Sequence, residues 1–232
     1  MKIRHGMILA AGLGKRMQPL TNKKPKPLLE IGGITLLERA INLLINHGVK
    51  EISVNIHHLG DQIEKYISDL KSEVKIKISN EKDLLLDTGG GVKKGTKDFN
   101  NNPFFVINPD TLWTEKYLEE IRTLEKIYFK EKTPCLLLVN KELSIDKSFK
   151  GDFNLKNKII TKDEKNQYIF TGLQIISRDN LDFISKKVFS MNEVWNNLID
   201  KKNLYGIESN QKFYHLNSIK MYEKISSLSS ID

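Results

Sequence analysis

The amino-terminal stretch from Met7 to Leu29, MILAAGLGKRMQPLTNKKPKPLL, constrains this chain more than any other part of the sequence. Its first five residues are apolar and predict a buried strand. The turn that follows contains Gly12 and Gly14, and glycine lets the backbone take positive φ and come close to a ligand. Backbone amides in such a turn can line an anion site, and the cations Lys15 and Arg16 come next. The stretch therefore predicts a strand that leads into an anion site.

Three prolines stiffen the second part of this stretch. Pro19, Pro25 and Pro27 prevent it from being helical throughout, and Lys26 is held between two of them. A strand, a glycine turn and several cations on a stiff segment suit a polyphosphate whose charge must be held while a bond changes. The alternative is an ordinary glycine turn followed by a proline-rich surface loop.

Two common phosphate-binding motifs do not fit the stretch. A P-loop requires Ser or Thr after Gly-Lys, but Arg16 follows Lys15 here, and the dinucleotide fingerprint requires a third glycine where Met17 stands. The stretch closely resembles the signature of the sugar-1-phosphate nucleotidyltransferases, in the form LAAGxGxRMxPLTxxxPKPLL. This resemblance implies the following nucleotide-binding residues: Leu9, Ala10, Ala11, Gly12, Gly14, Lys15, Arg16 and Lys26. Of these, Arg16 and Lys26 would also be catalytic.

Composition and charge agree with an intracellular enzyme of modest size. The chain has 232 residues, of which 39% are hydrophobic and 28% charged, enough for one domain with a large core. The net charge is +8, but the lysines are scattered without interleaved aromatic residues, so we expect no nucleic-acid partner. The lone Cys135 lies in an apolar run and cannot form a disulfide within the chain. Without an apolar run of membrane-spanning length or room for a signal peptide, we expect a cytoplasmic protein with no membrane partner.

Strand and helix patterns alternate after the glycine turn. Thr35 and Glu38 stand in capping-box register at the start of an amphipathic segment that ends at His47-Gly48. A strand, a second helix and a third strand are predicted at 49–56, 60–70 and 74–79. This β-α-β-α-β alternation predicts an α/β, Rossmann-like fold with a mostly parallel central sheet and helices on both faces. Ligands of such sheets gather at the carboxyl ends of the strands, where the glycine turn lies.

A second glycine-rich stretch, SNEKDLLLDTGGG, begins at Ser79. Its three glycines precede a predicted helix at 92–97 and would let a flat ring or a sugar approach the backbone. In the family that this chain resembles, the corresponding loop recognises the nucleobase, and a side chain facing the base is expected at the position of Glu81. The form LDTGGG resembles the N-acetylmuramate α-1-phosphate uridylyltransferases more than the thymidylyltransferases, whereas a flexible hairpin or a helix lead-in is the alternative. The implied nucleotide-binding residues are Glu81, Thr88, Gly89 and Gly90.

The third informative stretch runs from Phe104 to Trp113. An apolar strand delivers Asp110 to the carboxyl edge of the predicted sheet, where a carboxylate can hold Mg²⁺ against an α-phosphate. Asn108 is a candidate contact to the sugar phosphate. Pro109 stands where the family usually has a small residue, and it fixes the backbone before Asp110. The alternative is a helix N-cap or a turn aspartate.

The pattern changes after a helix predicted at 115–130 and a strand at 134–140. Short polar segments around 151–155, 159–160 and 168–176 predict antiparallel strands that form a smaller substrate lobe over the sheet edge. In the uridylyltransferases the corresponding segments face the sugar, which implies substrate contacts by Asp152, Glu164 and Gly172. Asp152 as a plain turn residue is the alternative. The remaining predictions are a helix at 189–200, strands at 205–208 and 212–216, a helix at 218–225 and a frayed tail at 226–232.

His215 is the main departure from the family pattern. The family typically has Trp-x-Asp-Val-Gly-Thr-Pro before its last helix, and this Asp is its second magnesium ligand; the sequence here is FYHLNSI, with His215 at the Asp position. Imidazole is a poor ligand for Mg²⁺, which prefers oxygen donors. Either Asp110 and the phosphates hold the ion, or His215 contacts phosphate directly, or His215 is merely packed.

The resemblance implies one nucleotidyltransferase domain over 1–232, with a nucleotide-binding core at 1–140 and a sugar-phosphate-binding lobe and closing elements at 141–232. It implies transfer of a nucleotidyl group from a nucleoside triphosphate to a sugar 1-phosphate with Mg²⁺ as cofactor, most specifically from UTP to N-acetylmuramic acid 1-phosphate in peptidoglycan recycling. A mannose-1-phosphate guanylyltransferase, or a related enzyme of the same fold, is the alternative. A nucleotide-sugar-binding regulator without chemistry is a third possibility, and the sequence does not indicate an oligomeric state.

Overall fold

The computed structural model of this chain describes residues 1–100 and 102–228. The strands are β1 (His5–Leu9), β2 (Glu30–Ile31), β3 (Ile34–Thr35), β4 (Glu51–Ile56), β5 (Lys75–Asn80), β6 (Phe104–Ile107), β7 (Cys135–Asn140), β8 (Asn154–Lys156), β9 (Ile159–Thr161), β10 (Tyr168–Ile176) and β11 (Tyr205–Ser209). The α-helices are α1 (Leu36–His47), α2 (Gly60–Asp69), α3 (Asp87–Gly95), α4 (Leu118–Glu131), α5 (Met191–Asp200) and α6 (Ile219–Ser226).

Nine of the described strands form one sheet, in the order β5-β4-β1-β6-β10-β7-β11-β9-β8. The strands β5, β4, β1 and β6 pair in parallel, as the alternating pattern predicted. Strand β11 is also parallel to its neighbour β7, whereas β10 runs antiparallel to both β6 and β7. The predicted α/β fold with a mostly parallel sheet is confirmed.

Helices cover both faces of this sheet because successive side chains of a strand point to opposite faces. Met7 and Ile8 are neighbours on β1, and both are fully buried in different core clusters. Ile8 packs with apolar side chains from α1, α2 and α4, and Met7 packs with those from α3 and α5. None of the helices within the described ranges combines the length and the apolar character needed to cross a bilayer.

The antiparallel region is less separate from the sheet than the sequence predicted. Strands β8 and β9 do pair antiparallel at the sheet edge. However, β10 is a central strand between β6 and β7, not part of a lobe over the edge. Because β6 ends just before Asp110, β10 brings the later part of the chain directly beside the predicted site.

Two local predictions were wrong. The glycine run does not precede a helix at 92–97: helix α3 already begins at Asp87, so Gly89 lies within the helix. The predicted strand at 212–216 forms two single-residue bridges instead, one between His215 and Thr111 and one between Phe213 and Ser144. Both errors concern segments whose conformation is set by distant neighbours.

The predicted boundaries of α1 are confirmed. Thr35 is the N-cap, and its hydroxyl oxygen accepts a hydrogen bond from the Glu38 backbone N–H at 3.1 Å. The Glu38 carboxylate accepts the Tyr66 hydroxyl at 2.6 Å rather than closing the capping box. At the other end of the chain, α6 includes Ser226, and 229–232 of the predicted frayed tail lie outside the described residues.

Candidate active site

A cavity of about 570 Å³ opens at the carboxyl ends of β1, β4, β5 and β6. This is the edge where ligands of parallel α/β sheets bind. Its lining residues are Leu9, Ala10, Ala11, Gly12, Gly14, Lys15, Arg16, Met17, Lys26, Pro27, Leu36, Asn55, Glu81, Leu85, Asp87, Thr88, Asn108, Pro109, Asp110, Val188 and Asn217. The glycine turn, Lys26, Glu81, Thr88, Asn108 and Asp110 were all predicted site residues, and the structure brings them into this one cavity.

The conformation of the glycine turn is fixed by contacts between Gly14 and Thr21. Gly14 has φ of +62°, and a Cβ atom there would lie 2.8 Å from the Thr21 side chain, so this position requires glycine. The Thr21 hydroxyl donates to the Gly14 carbonyl at 2.9 Å. A Cβ at Gly12, by contrast, would meet no described atom within 4 Å. The turn is therefore fixed on its Thr21 side and open on the side where a ligand can approach.

Lys26 and Asp110 form an ion pair in this cavity. The Lys26 ammonium lies 2.6 Å from Asp110 Oδ2, and the two side chains are 13% and 24% exposed. His215 Nε2 lies 3.2 Å from the same oxygen. Burial alone would raise the pKa of Asp110, but Lys26 and His215 outweigh burial and hold that pKa well below its usual range. Asp110 is therefore a carboxylate at any pH near neutrality.

Two residues that line the cavity each have a side-chain oxygen without a partner. Asp110 Oδ1 and Asn217 Oδ1 are shut off from solvent and accept no hydrogen bond from any residue that the structure describes. A buried acceptor without a donor is costly, so such atoms call for a missing ligand. Mg²⁺ prefers oxygen donors and commonly binds through one or two protein groups plus substrate phosphates. The two oxygens therefore fit a divalent metal ion.

His215 contacts Asp110 and aromatic rings. Its ring is stacked on Phe213 at 5.8 Å between centroids, and the Phe149 ring is 5.6 Å away. Within the described ranges, no group of three or more His, Cys, Asp or Glu side chains is arranged to hold a metal ion. These contacts make His215 a partner of the Asp110 carboxylate.

Glu81 reaches the cavity from the end of β5 but is only 1% exposed. Its carboxylate accepts the Asn55 side-chain amide at 2.7 Å through Oε1 and the Leu86 backbone N–H at 3.0 Å through Oε2. Asn55 Oδ1 in turn accepts the Ala10 backbone N–H at 2.7 Å. The pair thus connects the strand before the glycine turn to the loop before α3.

The glycines of α3 pack against the later part of the chain. A Cβ at Gly89 would lie 2.4 Å from the Phe189 ring, and a Cβ at Gly90 would lie 2.2 Å from the Lys187 carbonyl oxygen. Both backbone N–H groups donate to the Phe189 carbonyl, at 2.9 and 3.1 Å. These glycines bring the 187–189 segment close, and it contributes Val188 to the cavity wall. Neither Gly89 nor Gly90 lines the cavity, and their contacts with a nucleotide stay predictions.

The predicted sugar contacts are spread over a wider area. Asn108 lines the cavity, and its backbone N–H donates to the Gly172 carbonyl at 2.8 Å. Gly172 lies where the pairing of β10 with β7 shifts register, between Phe170 and Gln174, so this irregular part of β10 is next to Asn108. Asp152 is exposed and accepts the Phe170 backbone N–H at 2.9 Å. Glu164 lines a different cavity, beside Lys141 and Phe149. The structure thus joins Asn108 and Gly172 to the site but not Asp152 or Glu164.

Nine residues that line the cavity were not among the predicted site residues: Met17, Pro27, Leu36, Asn55, Leu85, Asp87, Pro109, Val188 and Asn217. Asn55 lies at the end of a predicted parallel strand, so the rule that ligands gather at carboxyl ends of strands could have identified it. Asn217 is two residues beyond His215 and offers the oxygen that His215 lacks. Val188 depends on a long-range contact and had no sequence signal.

Comparisons with known proteins agree with this geometry. The family model for nucleotidyl transferases matches residues 5–142. The N-acetylmuramate alpha-1-phosphate uridylyltransferase of Caulobacter vibrioides is 33% identical over 150 residues, which are 63% of this chain and 62% of that protein. The mannose-1-phosphate guanyltransferase 2 of Candida glabrata is 27% identical over 214 residues, which are 88% of this chain and 58% of that protein. The matches thus span about three fifths of the length of these relatives.

The fold is also found among solved structures. A putative glucose-1-phosphate thymidylyltransferase from Bacillus anthracis, solved in complex with a sucrose, superposes with a TM-score of 0.81. The match covers 98% of this chain and 96% of that chain at 19% identity, so it bears on the fold alone. Together with the family match over residues 5–142, which include the glycine turn, Lys26 and Asp110, these comparisons show that the chain belongs to the nucleotidyl transferase family.

Proposed function

We propose that this chain transfers a nucleotidyl group from a nucleoside triphosphate to a sugar 1-phosphate and releases pyrophosphate. The preferred pair is UTP and N-acetylmuramic acid 1-phosphate, as in peptidoglycan recycling. The observation that carries the proposal is the 2.6 Å contact between Lys26 and Asp110 inside a cavity that also contains the glycine turn. Cations, an ionised carboxylate and an open turn in one cavity suit a triphosphate. The choice of uridine and of the sugar rests on the LDTGGG form and on the Caulobacter vibrioides relative.

The reaction is an in-line displacement at the α-phosphorus. A phosphate oxygen of the sugar 1-phosphate forms the new P–O bond, the bond between the α-phosphorus and the bridging oxygen breaks, and pyrophosphate leaves with the electron pair. The nucleophile is already anionic, so no general base is required. The barrier comes from bringing two anions together and from charge on the leaving group, so catalysis is positioning plus electrostatic stabilisation.

The residues of the cavity divide this work. The Gly12–Gly14 turn, Lys15 and Arg16 hold the leaving phosphates, and Lys26 neutralises charge near the α-phosphate. Enzymes of this family generally use a divalent metal ion such as Mg²⁺. Here Asp110 Oδ1 and Asn217 Oδ1 are the side-chain oxygens that would hold it. When bound, the ion supplies charge neutralisation at the phosphates.

The nucleobase lies, in this proposal, against the loop that carries Glu81 and Thr88, with the apolar side chains Leu85 and Val188 in the same wall. A pocket of apolar side chains with a few fixed polar groups is the usual form of such a site. The guanylyltransferase alternative is favoured by the length of the Candida glabrata match, which extends over 88% of this chain.

One assay separates the candidates. Pyrophosphate release is measured with UTP, GTP, CTP, ATP and dTTP, each against a panel of sugar 1-phosphates that includes N-acetylmuramic acid 1-phosphate and mannose 1-phosphate. We expect the highest kcat/KM for UTP with N-acetylmuramic acid 1-phosphate. The highest kcat/KM for GTP with mannose 1-phosphate identifies the alternative enzyme. No release with any pair, despite nucleotide binding, rejects an enzymatic role and favours a regulator.

A further inference from the structure

Asn217 lies beside Asp110 because the segment before α6 pairs with the segment after β6. The Leu216 backbone N–H donates to the Asp110 carbonyl at 2.8 Å, and the Leu112 N–H donates to the Tyr214 carbonyl at 2.9 Å. These two backbone hydrogen bonds fix the register of the two segments. The Asn217 side chain is therefore held at the same cavity wall as the Asp110 carboxylate.

A third carboxylate, that of Asp146, determines which way the Asn217 amide points. Asp146 Oδ2 accepts a hydrogen bond from Asn217 Nδ2 at 2.7 Å. An ionised carboxylate can only accept, so it must face the NH₂ group of the amide and not its oxygen. Asn217 Oδ1 consequently points away from Asp146, and it is buried without a hydrogen-bond donor among the described residues.

Asp146 is itself held in place by hydrogen bonds. Its Oδ1 accepts the Ser148 backbone N–H at 3.0 Å and the Ser148 hydroxyl at 2.6 Å. These two hydrogen bonds hold the carboxylate in its orientation while Oδ2 accepts the Asn217 amide.

We propose that Asp146 is a positioning residue that aims the Asn217 oxygen at the metal position beside Asp110. This inference rests on the proposed function. Beside Asp110, His215 presents its Nε2 and offers no oxygen. Asn217 supplies an oxygen there, and Asp146 supplies a negative charge behind it.

The test measures binding of Mn²⁺ alone to the full chain, by the electron paramagnetic resonance signal of the free ion. Because partners behind a metal ligand typically change metal affinity 10- to 100-fold, we expect Asp146→Asn to raise the Kd for Mn²⁺ by about tenfold or more. The amide introduced by this substitution could turn either its oxygen or its NH₂ group towards Asn217, so the orientation of the Asn217 amide would no longer be fixed. Asn217→Ala should weaken binding at least as much.

Asp163→Asn is the matched control. Asp163 makes the same two kinds of contact as Asp146, since it accepts an asparagine side-chain amide, that of Asn154, at 2.8 Å and the backbone N–H two residues later, that of Lys165, at 2.7 Å. Asp163 is exposed and does not line the cavity. We expect Asp163→Asn to leave the Kd for Mn²⁺ within about twofold of the wild-type value, as for other surface substitutions.

Two double variants distinguish positioning from a merely structural role. If Asp146 acts through Asn217, adding Asp146→Asn to Asn217→Ala should not weaken Mn²⁺ binding further. Exchanging the pair, Asp146→Asn with Asn217→Asp, keeps the hydrogen bond with its polarity reversed and places a carboxylate oxygen at the cavity. The exchanged protein should bind Mn²⁺ at least as tightly as the wild type.

Several results would overturn the inference. The inference fails if Asp146→Asn changes the Kd for Mn²⁺ by less than about twofold, or if the wild type binds no Mn²⁺. It also fails if Asp146→Asn weakens Mn²⁺ binding further in the Asn217→Ala background, or if the exchanged protein binds Mn²⁺ no more tightly than Asp146→Asn. The proposed function fails in a different way, when the wild-type protein releases no pyrophosphate from any triphosphate. Mn²⁺ binding that follows the expected order without pyrophosphate release would support the metal position and reject the reaction.

Discussion

Asp110 and Glu125 are both largely buried carboxylates in contact with a basic side chain, but they lie at opposite ends of the sheet. Asp110 follows the carboxyl end of β6, with Lys26 at 2.6 Å and His215 at 3.2 Å. Glu125, on α4, approaches the amino end of β1: its Oε1 accepts the Ile3 backbone N–H at 2.6 Å and lies 3.3 Å from His47 Nε2.

The two pairs differ in what they leave unsatisfied. Asp110 keeps Oδ1 buried and without a hydrogen bond from any described residue, and Asp110 lines a cavity. Glu125 has no such buried, partnerless oxygen in the described part of the chain; the unpaired buried atoms of that pair are the two ring nitrogens of His47, which packs edge-on against the Phe105 ring of the core and lines none of the cavities described here. A buried contact between a carboxylate and a basic side chain, or a buried unpaired atom in the core, therefore does not by itself indicate a site. The unpaired oxygen beside a cavity does.

The largest expected effect is the loss of kcat when the Lys26–Asp110 pair is removed. Lys26→Ala and Asp110→Ala should each lower kcat by at least ~10²-fold, the scale of losing one preorganised charge. The measurement is pyrophosphate release at saturating substrates, below the Tm of each variant. Lys24→Ala is the control, since Lys24 also forms a 2.6 Å ion pair, with Glu30, but in an exposed position. A loss of tenfold or less would reject the roles of Lys26 and Asp110.

The Glu125 pair should show the opposite result. Glu125→Ala leaves the buried Ile3 N–H without its acceptor, which should cost ~1–3 kcal/mol of stability. In a chain of this size each kcal/mol lowers Tm by roughly 2–4 °C. Glu119→Ala is the control, because Glu119 is an exposed residue of the same helix, paired with Arg122. If Glu125→Ala reduced kcat at a temperature where it is fully folded, the separation between the two pairs would be wrong.

The pH dependence of stability sharpens the comparison further. Burial lowers the pKa of His47 from 6.5 even though Glu125 acts to raise it. As the pH falls, His47 therefore takes up a proton more readily in the unfolded chain than in the folded one. The contribution of neutral, buried His47 to the free energy of unfolding is complete above pH 6.5 and is lost as the pH falls through the lower pKa of the folded state. Asp110, with its pKa held low, remains ionised over that range.

His47→Gln tests this sign. One proton contributes at most about 1.4 kcal/mol per pH unit to the slope of the unfolding free energy. Urea denaturation at pH 8, 7, 6 and 5.5 should show a smaller decrease for His47→Gln than for the wild type. His5, whose pKa burial also lowers, should account for part of the remaining slope. An unchanged slope would show that His47 does not titrate on unfolding.

The sequence predicted the parts of the site that depend on local order along the chain. The strand, the glycine turn and Lys26 lie within one short stretch, and the rule that parallel strands share a carboxyl edge was enough to bring Asp110 to it. Thr35 was identifiable because an N-cap depends only on its own helix. These predictions needed no knowledge of distant contacts.

The errors arose where distant contacts decide. The run Gly89–Gly91 has low helix propensity, yet it lies within α3 because the 187–189 segment packs where side chains would be. The sequence pattern placed residues 168–176 in an antiparallel lobe over the sheet edge, but β10 pairs on both sides in the centre of the sheet. Asn217 had no local signal either, because its place at the cavity and its hydrogen bond to Asp146, 71 residues earlier, depend on distant contacts.

The smallest expected effect concerns Asp152, which the sequence analysis placed against the sugar. Its carboxylate accepts the Phe170 N–H and its own N–H donates to the Tyr168 carbonyl, so its contacts tie a loop to β10, outside the cavity. Asp152→Ala should change KM for the sugar 1-phosphate by less than about threefold, as for other surface substitutions. Asn108→Ala, which removes a side chain of the cavity wall, should raise that KM more, by up to about tenfold for one lost hydrogen bond. If Asp152→Ala instead had the larger effect on KM with kcat unchanged, the sugar would have to extend beyond the cavity towards β10, and the interpretation from sequence would be the better one.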